Sequence, residues 1–281
     1  ATGEYQMLET FDIDANGQEE IITISYKDEG EAVEDLSNMA YITRVENGQF
    51  VETSSVPTSG KTISYPYVTK DQTSFGTPAL IIDEQLSKSA YATEILIAPG
   101  GVLQNLTYQP GSSLYEKTMR TQAPFSYDVN KDGVIEIPKT EYFPGYSESS
   151  DSPLFLSKWS RLNDGKFEFT NLAYVNYSQG YGLLLPDSWQ GRVTATNLLQ
   201  NDEVKFFVYH GDVEDDSEPI LSVKMDTIND FSANGLEEGY FELATVGQMV
   251  YSAKIYPVSD PTLALTPEQV KGQFIEIYAA E

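Results

Sequence analysis

The chain has 281 residues, with 43 acids against 17 bases for a net charge of −26, one histidine and no cysteine. Disulfides and thiolate metal sites are therefore excluded, and so acidic a chain lacks the Lys/Arg footprint that nucleic acid or an anionic membrane surface requires. Hydrophobic residues make up 40%, enough for a sizeable core, yet no apolar run approaches the roughly 18 residues of a membrane helix.

In chain order, the first informative element is Asp12-Ile13-Asp14-Ala15-Asn16-Gly17-Gln18-Glu19-Glu20. Asp12, Asp14, Asn16 and Glu20 place side-chain oxygens at positions 1, 3, 5 and 9. Gly17 lets the backbone turn sharply, so that the Gln18 carbonyl can join the ring. Hard cations such as Ca²⁺ take six to eight oxygen ligands, and an alternating loop of this kind supplies them. The β-branched run 21–26 then predicts a strand, and 41–50 predicts a hairpin turning at Asn47-Gly48. Gly60-Lys61-Thr62 ends like a phosphate loop, but Ser55 stands where a glycine is required, so it reads as a turn.

Residues 71–80 align with the first loop and keep its glycine as Gly76, while Thr73, Phe75 and Ala79 replace three of its ligands. A hairpin turning at Gly100-Gly101 is expected next. The oxygen-rich pattern returns intact at 128–136, with Asp128, Asn130, Asp132 and Glu136 at positions 1, 3, 5 and 9 and Val134 offering its carbonyl. A strand at 134–137 and a hairpin turning at Asp164-Gly165 follow. Gly17, Gly76 and Gly133 fall 59 and 57 residues apart, a period that means stacked β units.

An EF-hand loop needs its bidentate glutamate at position 12, which here is Thr23 or Lys139. A nine-residue acidic loop feeding straight into a strand instead resembles the FG-GAP repeats of integrin-α-like β-propellers and their bacterial relatives. That resemblance implies a mainly β fold, a propeller-like array of antiparallel blades at about 10–57, 70–110 and 126–176 within a domain spanning 1–178. It also implies two Ca²⁺ sites, with the middle blade having lost its own. Three blades do not close a ring, so the expectation is either further blades upstream of Ala1, the favoured reading, or a short array whose open edge another domain covers.

From 179 to 281 the repeat stops and a smaller α+β domain is expected. Strands are predicted at 192–196, 204–209, 220–225, 240–245 and 249–255, separated in one place by an acidic loop at 212–218. Thr266-Pro267-Glu268-Gln269 predicts a capped helix that Gly272 ends, before a closing strand at 274–278. Trp159 and Trp189 read as packing anchors, and the many tyrosines as strand-face residues.

No catalytic constellation emerges. His210 sits beside the acidic loop without a Gly-x-Ser-x-Gly elbow. The function expected is a non-enzymatic extracellular or cell-surface scaffold, stiffened by Ca²⁺, for a protein or glycan ligand. The alternative is an accessory or catalytic module of an extracellular hydrolase.

Overall fold

The computed structural model describes residues 5–25, 38–59, 62–109, 111–121, 125–198, 202–213 and 218–277. Tyr26, Gly60, Lys61, most of the acidic loop (214–217) and Tyr278 lie outside the described residues. The protein is mainly β, with four antiparallel sheets, each open at its edges.

The first sheet is a meander of β1 (Tyr5–Phe11), β2 (Glu20–Ser25), β3 (Asn38–Glu46) and β4 (Gln49–Thr58). The second repeats that order with β5 (Ser64–Gln72), β6 (Pro78–Ser87), β7 (Ala90–Ile97) and β8 (Gln104–Asn105), followed by a short helix α1 (Leu114–Lys117). The third takes β9 (Ile137–Tyr142), β10 (Phe155–Asn163), β11 (Lys166–Asn176) and β12 (Tyr181–Leu185), with the C-terminal strand Phe274–Glu276 against β12. The fourth comprises β13 (Val193–Leu198), β14 (Glu203–Val208), β15 (Pro219–Thr227), β16 (Phe241–Val246) and β17 (Met249–Ile255), with helix α2 (Ile228–Asn234) after β15. Helix α3 (Pro267–Gln273) precedes the C-terminal strand, β18.

Local sequence explains these boundaries. Asn47 and Gly48 both take positive φ (52° and 78°), as do Asp164 and Gly165 (45° and 71°). A two-residue turn that matches the strands' twist requires this. At Gly100-Gly101 the hairpin forms, with β7 and β8 pairing at Leu96↔Asn105 and Ile97↔Gln104, but its turn is longer than two residues. Pro99–Gly101 forms a 3₁₀ turn, and the returning strand β8 has two residues. Pro99 has no N–H to give a ladder, and Gly101 N–H turns back to the Ala98 carbonyl at 2.9 Å.

Helix α3 begins as expected, with a complete capping box between Thr266 and Gln269, but continues through Gly272 to Gln273. Thr266→Ala should lower stability by about 1 kcal/mol, as cap removals do. A urea titration checks this, and an unchanged midpoint would show the cap to be idle.

The chain divides into two compact units at Lys139/Thr140, Lys158/Trp159 and Thr170/Asn171, so the tip of the β10–β11 hairpin counts with the first unit and its base with the second. The expected domain boundary at 178–179 falls in the turn between β11 and β12, and these two strands pair from Leu172↔Leu185 to Asn176↔Tyr181.

In the first unit, β6 is buried on both faces. Leu80 and Ile82 join Ile22, Ile24, Ala40 and Ile42 in one core. Ala79 and Ile81 join Ile135, Ile137, Leu162 and Phe167 in another. This explains why 79–82 is an unbroken apolar run where a one-sided strand would alternate.

The second unit is held by an aromatic-rich core that includes Phe143, Tyr174, Tyr181, Trp189 and Phe206. Trp189, 1% exposed, also donates its indole N–H to the Leu263 carbonyl at 3.0 Å. Among the described residues, no helix is long and apolar enough to cross a membrane.

Candidate metal centre

The two oxygen-rich loops match in the hydrogen bonds that the backbone N–H groups at positions 5, 6 and 7 donate to side chains. In the first, Asp12 closes the turn by accepting from Asn16 N (2.9 Å) and Gly17 N (2.9 Å). Asp14 accepts from Asn16 N at 3.1 Å, and Asn16 Oδ1 from Gln18 N at 2.8 Å. In the second, Asp128 accepts from Asp132 N (3.0 Å) and Gly133 N (2.9 Å). Asn130 accepts from Asp132 N at 2.9 Å, and Asp132 from Val134 N at 3.0 Å.

The backbones match too. Position 4 is left-handed in both (Ala15 φ 59°, Lys131 φ 62°), and position 6 is a glycine at 87° or 86°. A non-glycine residue at positive φ is held there only when its surroundings over-determine it. Here the buried position-2 residues Ile13 (0% exposed) and Val129 (1%) anchor one side of each loop. The alternate positions carry the oxygens.

Strand β2 begins at Glu20, and Glu136 bridges to Tyr127 immediately before β9. Position 9 is thus fixed by sheet pairing while positions 1, 3 and 5 are fixed by the turn. The middle loop keeps only part of this. Gly76 has φ 75°, and Phe75 N donates to Thr73 Oγ1 at 3.3 Å, but Gly76 N turns to the Thr73 carbonyl instead of a position-1 carboxylate.

Among the described residues, Asp12, Asp14 and Glu20 form the one group of three acids whose ligand atoms all lie within 4.8 Å of one another. Glu20 is 1% exposed, and its Oε2 has no hydrogen-bond partner. An orphaned buried carboxylate oxygen is costly, and a hard cation is the partner that this all-oxygen donor set suits. Asp12, Asp14, Asn16 and Glu20 could therefore hold Ca²⁺.

The acids of the second loop do not close to the same degree. The Asn130 amide lies between them, donating to Asp132 Oδ2 (3.2 Å) and Glu136 Oε1 (3.1 Å), while Val129 N reaches Glu136 Oε2 at 3.0 Å. Burial raises the Glu136 carboxyl to about 7. Asp132 and Asp128 push the same way, and the Val129 N–H and Arg161 oppose them. Gln18 and Val134 lie in their loops as expected, each with its N–H committed to the position-5 side chain.

Sequence reasoning missed a cation beside the first loop. Arg44 on β3 hydrogen-bonds Asp14 Oδ2 through Nη2 and Glu20 Oε1 through Nε (3.2 Å). Its separation of 24 to 30 residues from those acids hides it from any local pattern.

Elsewhere, His210 follows β14 and faces Glu218 at 3.4 Å. In the second unit a cavity of about 360 Å³ is lined by Asp202, Glu203, Lys224, Asp226, Asp230 and Glu237, among others, with no aromatic ring on which a sugar could stack. Asn105 is 2% exposed and donates to Glu94, which gives it a structural role. No protein-family model matches the chain, and no curated protein is similar to it.

Proposed function

We propose that the protein is an extracellular or cell-surface scaffold, related to FG-GAP repeat proteins, whose propeller-like β repeats are stiffened by Ca²⁺ at two loops and present a surface to a protein or glycan ligand. The observation that carries the metal assignment is the unpartnered, buried Glu20 Oε2 within the Asp12–Asp14–Glu20 group. The second site rests on the matching hydrogen-bond pattern of 128–136, whose acids would close on the ion by releasing the Asn130 amide.

The first loop joins β1 to β2, and the second is closed by the Tyr127–Glu136 bridge just before β9. A bound dication would tie the two ends of each loop together and favour the folded state by mass action, about 2.7 kcal/mol at a hundredfold excess over Kd.

Calorimetric titration with Ca²⁺ and Mg²⁺ tests this reading. Wild type should take up two Ca²⁺, and Asp14→Ala and Asp132→Ala should each lose one. No uptake by wild type, or variants that bind as wild type does, would remove the metal from the function.

A further inference from the structure

The three repeats differ at two positions that change together. Position 9 is Glu20, Ala79 and Glu136 in the successive loops. The residue four before the second hairpin glycine (Gly48, Gly101 and Gly165) is Arg44, Ile97 and Arg161. In the middle repeat these two positions pair directly across the sheet, Ala79↔Ile97. In the first, Glu20 and Arg44 lie one step beyond the Ile21↔Thr43 pair.

The chain therefore carries Glu with Arg, or Ala with Ile, and never a mixture. A cross-strand neighbour on the same sheet face is in direct reach, so the two positions form one physical unit.

From these facts, and resting on the calcium reading above, we infer that Arg44 and Arg161 are positioning residues for the two metal loops. Each guanidinium holds the position-9 carboxylate from outside, so that its other oxygen faces the ion.

The first loop shows this most fully. Arg44 takes one oxygen from each of two acids, Asp14 Oδ2 and Glu20 Oε1, and leaves Glu20 Oε2 buried without a partner. A planar guanidinium can bridge two carboxylates in a way a lysine amine cannot. The neighbouring backbone leaves room for it. A Cβ on Gly101 would stand 3.2 Å from Arg44 Nη2 and 3.5 Å from Asp14 Oδ2, and Gly101 is at φ +80°.

In the third repeat the buried Arg161 Nε faces Glu168 Oε2 at 3.7 Å, too far for a hydrogen bond, and makes none. An unspent donor at this repeat position is what a carboxylate drawn up beside it would satisfy.

Simple charge counting gives the opposite expectation. Removing a cation beside three acids should strengthen their hold on a dication. The experiment is therefore decisive in sign.

Calcium is titrated calorimetrically into wild type, Arg44→Ala, Arg44→Lys and Arg161→Ala, and each is melted in EDTA. A positioning role predicts that Arg44→Ala weakens one of two sites about tenfold or more, the range seen when outer partners of metal ligands are removed. Arg44→Lys should fail to restore it and Arg161→Ala should weaken the other site; Arg44→Ala should melt lower in EDTA, because Glu20 and Asp14, 1% and 7% exposed, lose their cation, so calcium affinity is compared at a temperature where each variant is folded. Equal or tighter binding by Arg44→Ala would overturn the inference while leaving the calcium sites standing. No uptake by wild type would sink both. Should Arg44→Ala not fold, Arg44→Lys and Arg161→Ala decide the question by the same change in affinity.

Discussion

Replacing Arg120 by methionine should destabilise the protein by about 3–5 kcal/mol, the range for stranding one member of a buried ion pair. Arg120 and Asp83 are both inaccessible to solvent, and Nη2 reaches Asp83 Oδ1 at 2.7 Å. The same carboxylate accepts from Thr93 Oγ1 (2.6 Å), Ser126 N (2.6 Å) and Ser126 Oγ (2.9 Å), while Arg120 Nη1 donates to Thr93 Oγ1 and the Thr118 carbonyl. Methionine can fill the volume of the arginine stem but leaves Asp83 charged, buried and without its cation. The double variant Arg120→Met/Asp83→Asn should recover part of the loss, because the uncompensated charge is then gone. Urea unfolding of the three proteins decides it, and a loss below about 1 kcal/mol for Arg120→Met would mean the pair contributes little.

The second large effect concerns pH. Glu84, the next residue along β6, is completely buried and accepts from Thr62 Oγ1 (2.8 Å) and Tyr115 OH (2.9 Å) through Oε2. Its Oε1 meets no N–H or hydroxyl, and the carboxyl instead hydrogen-bonds Glu94, whose own oxygens accept from Ser59 N and Asn105 Nδ2. Burial, and then repulsion from Glu94, raises Glu84 well above the ordinary carboxylate range. Burial and Glu94 therefore hold Glu84 in its protonated form further up the pH scale than a free glutamate.

A folded-state pKa above the unfolded one means this contribution is complete in acid, below the unfolded pKa near 4.5, and is lost as pH rises. Glu84→Gln supplies a permanent N–H donor in nearly the same shape. Its stability relative to wild type should climb by about 1.4 kcal/mol per pH unit above about pH 5 until Glu84 itself ionises. Denaturation midpoints from about pH 5 to 8 would show it, and parallel curves would mean that the two carboxyls share no proton.

Much of this fold is legible in the sequence, for stated reasons. Asn47-Gly48 and Asp164-Gly165 announce their turns because positive φ at two successive residues admits few side chains. Gly100-Gly101 carries the same signal but closes a wider turn, since Pro99 withholds the N–H that would carry the ladder past Ile97. Helix α2 escapes a sequence reading although its punctuation is present, with Thr227 capping Asp230 N and Gly235 ending it at φ 71°. The strand-like 219–227 before it dominates the local pattern.

At the two oxygen-rich loops the carboxylates are visible because they are contiguous. Their partner Arg44 is not, because it arrives by sheet pairing. Asp83 and Glu84 follow the apolar run 79–82 and are fully enclosed. Nothing local in a sequence distinguishes an acid facing water from one facing Arg120 or a second carboxyl.

The two-sided burial of β6 bears on how such a chain can change over time. A substitution at Ala79, Leu80, Ile81 or Ile82 is felt in one core or the other, so this stretch has the narrowest choice of residues in the first unit. The turn just before it, with Phe75 71% exposed at its tip, is under no such constraint. A layer gripped from above and below is held by packing on both faces and needs no ion at its rim to keep its shape.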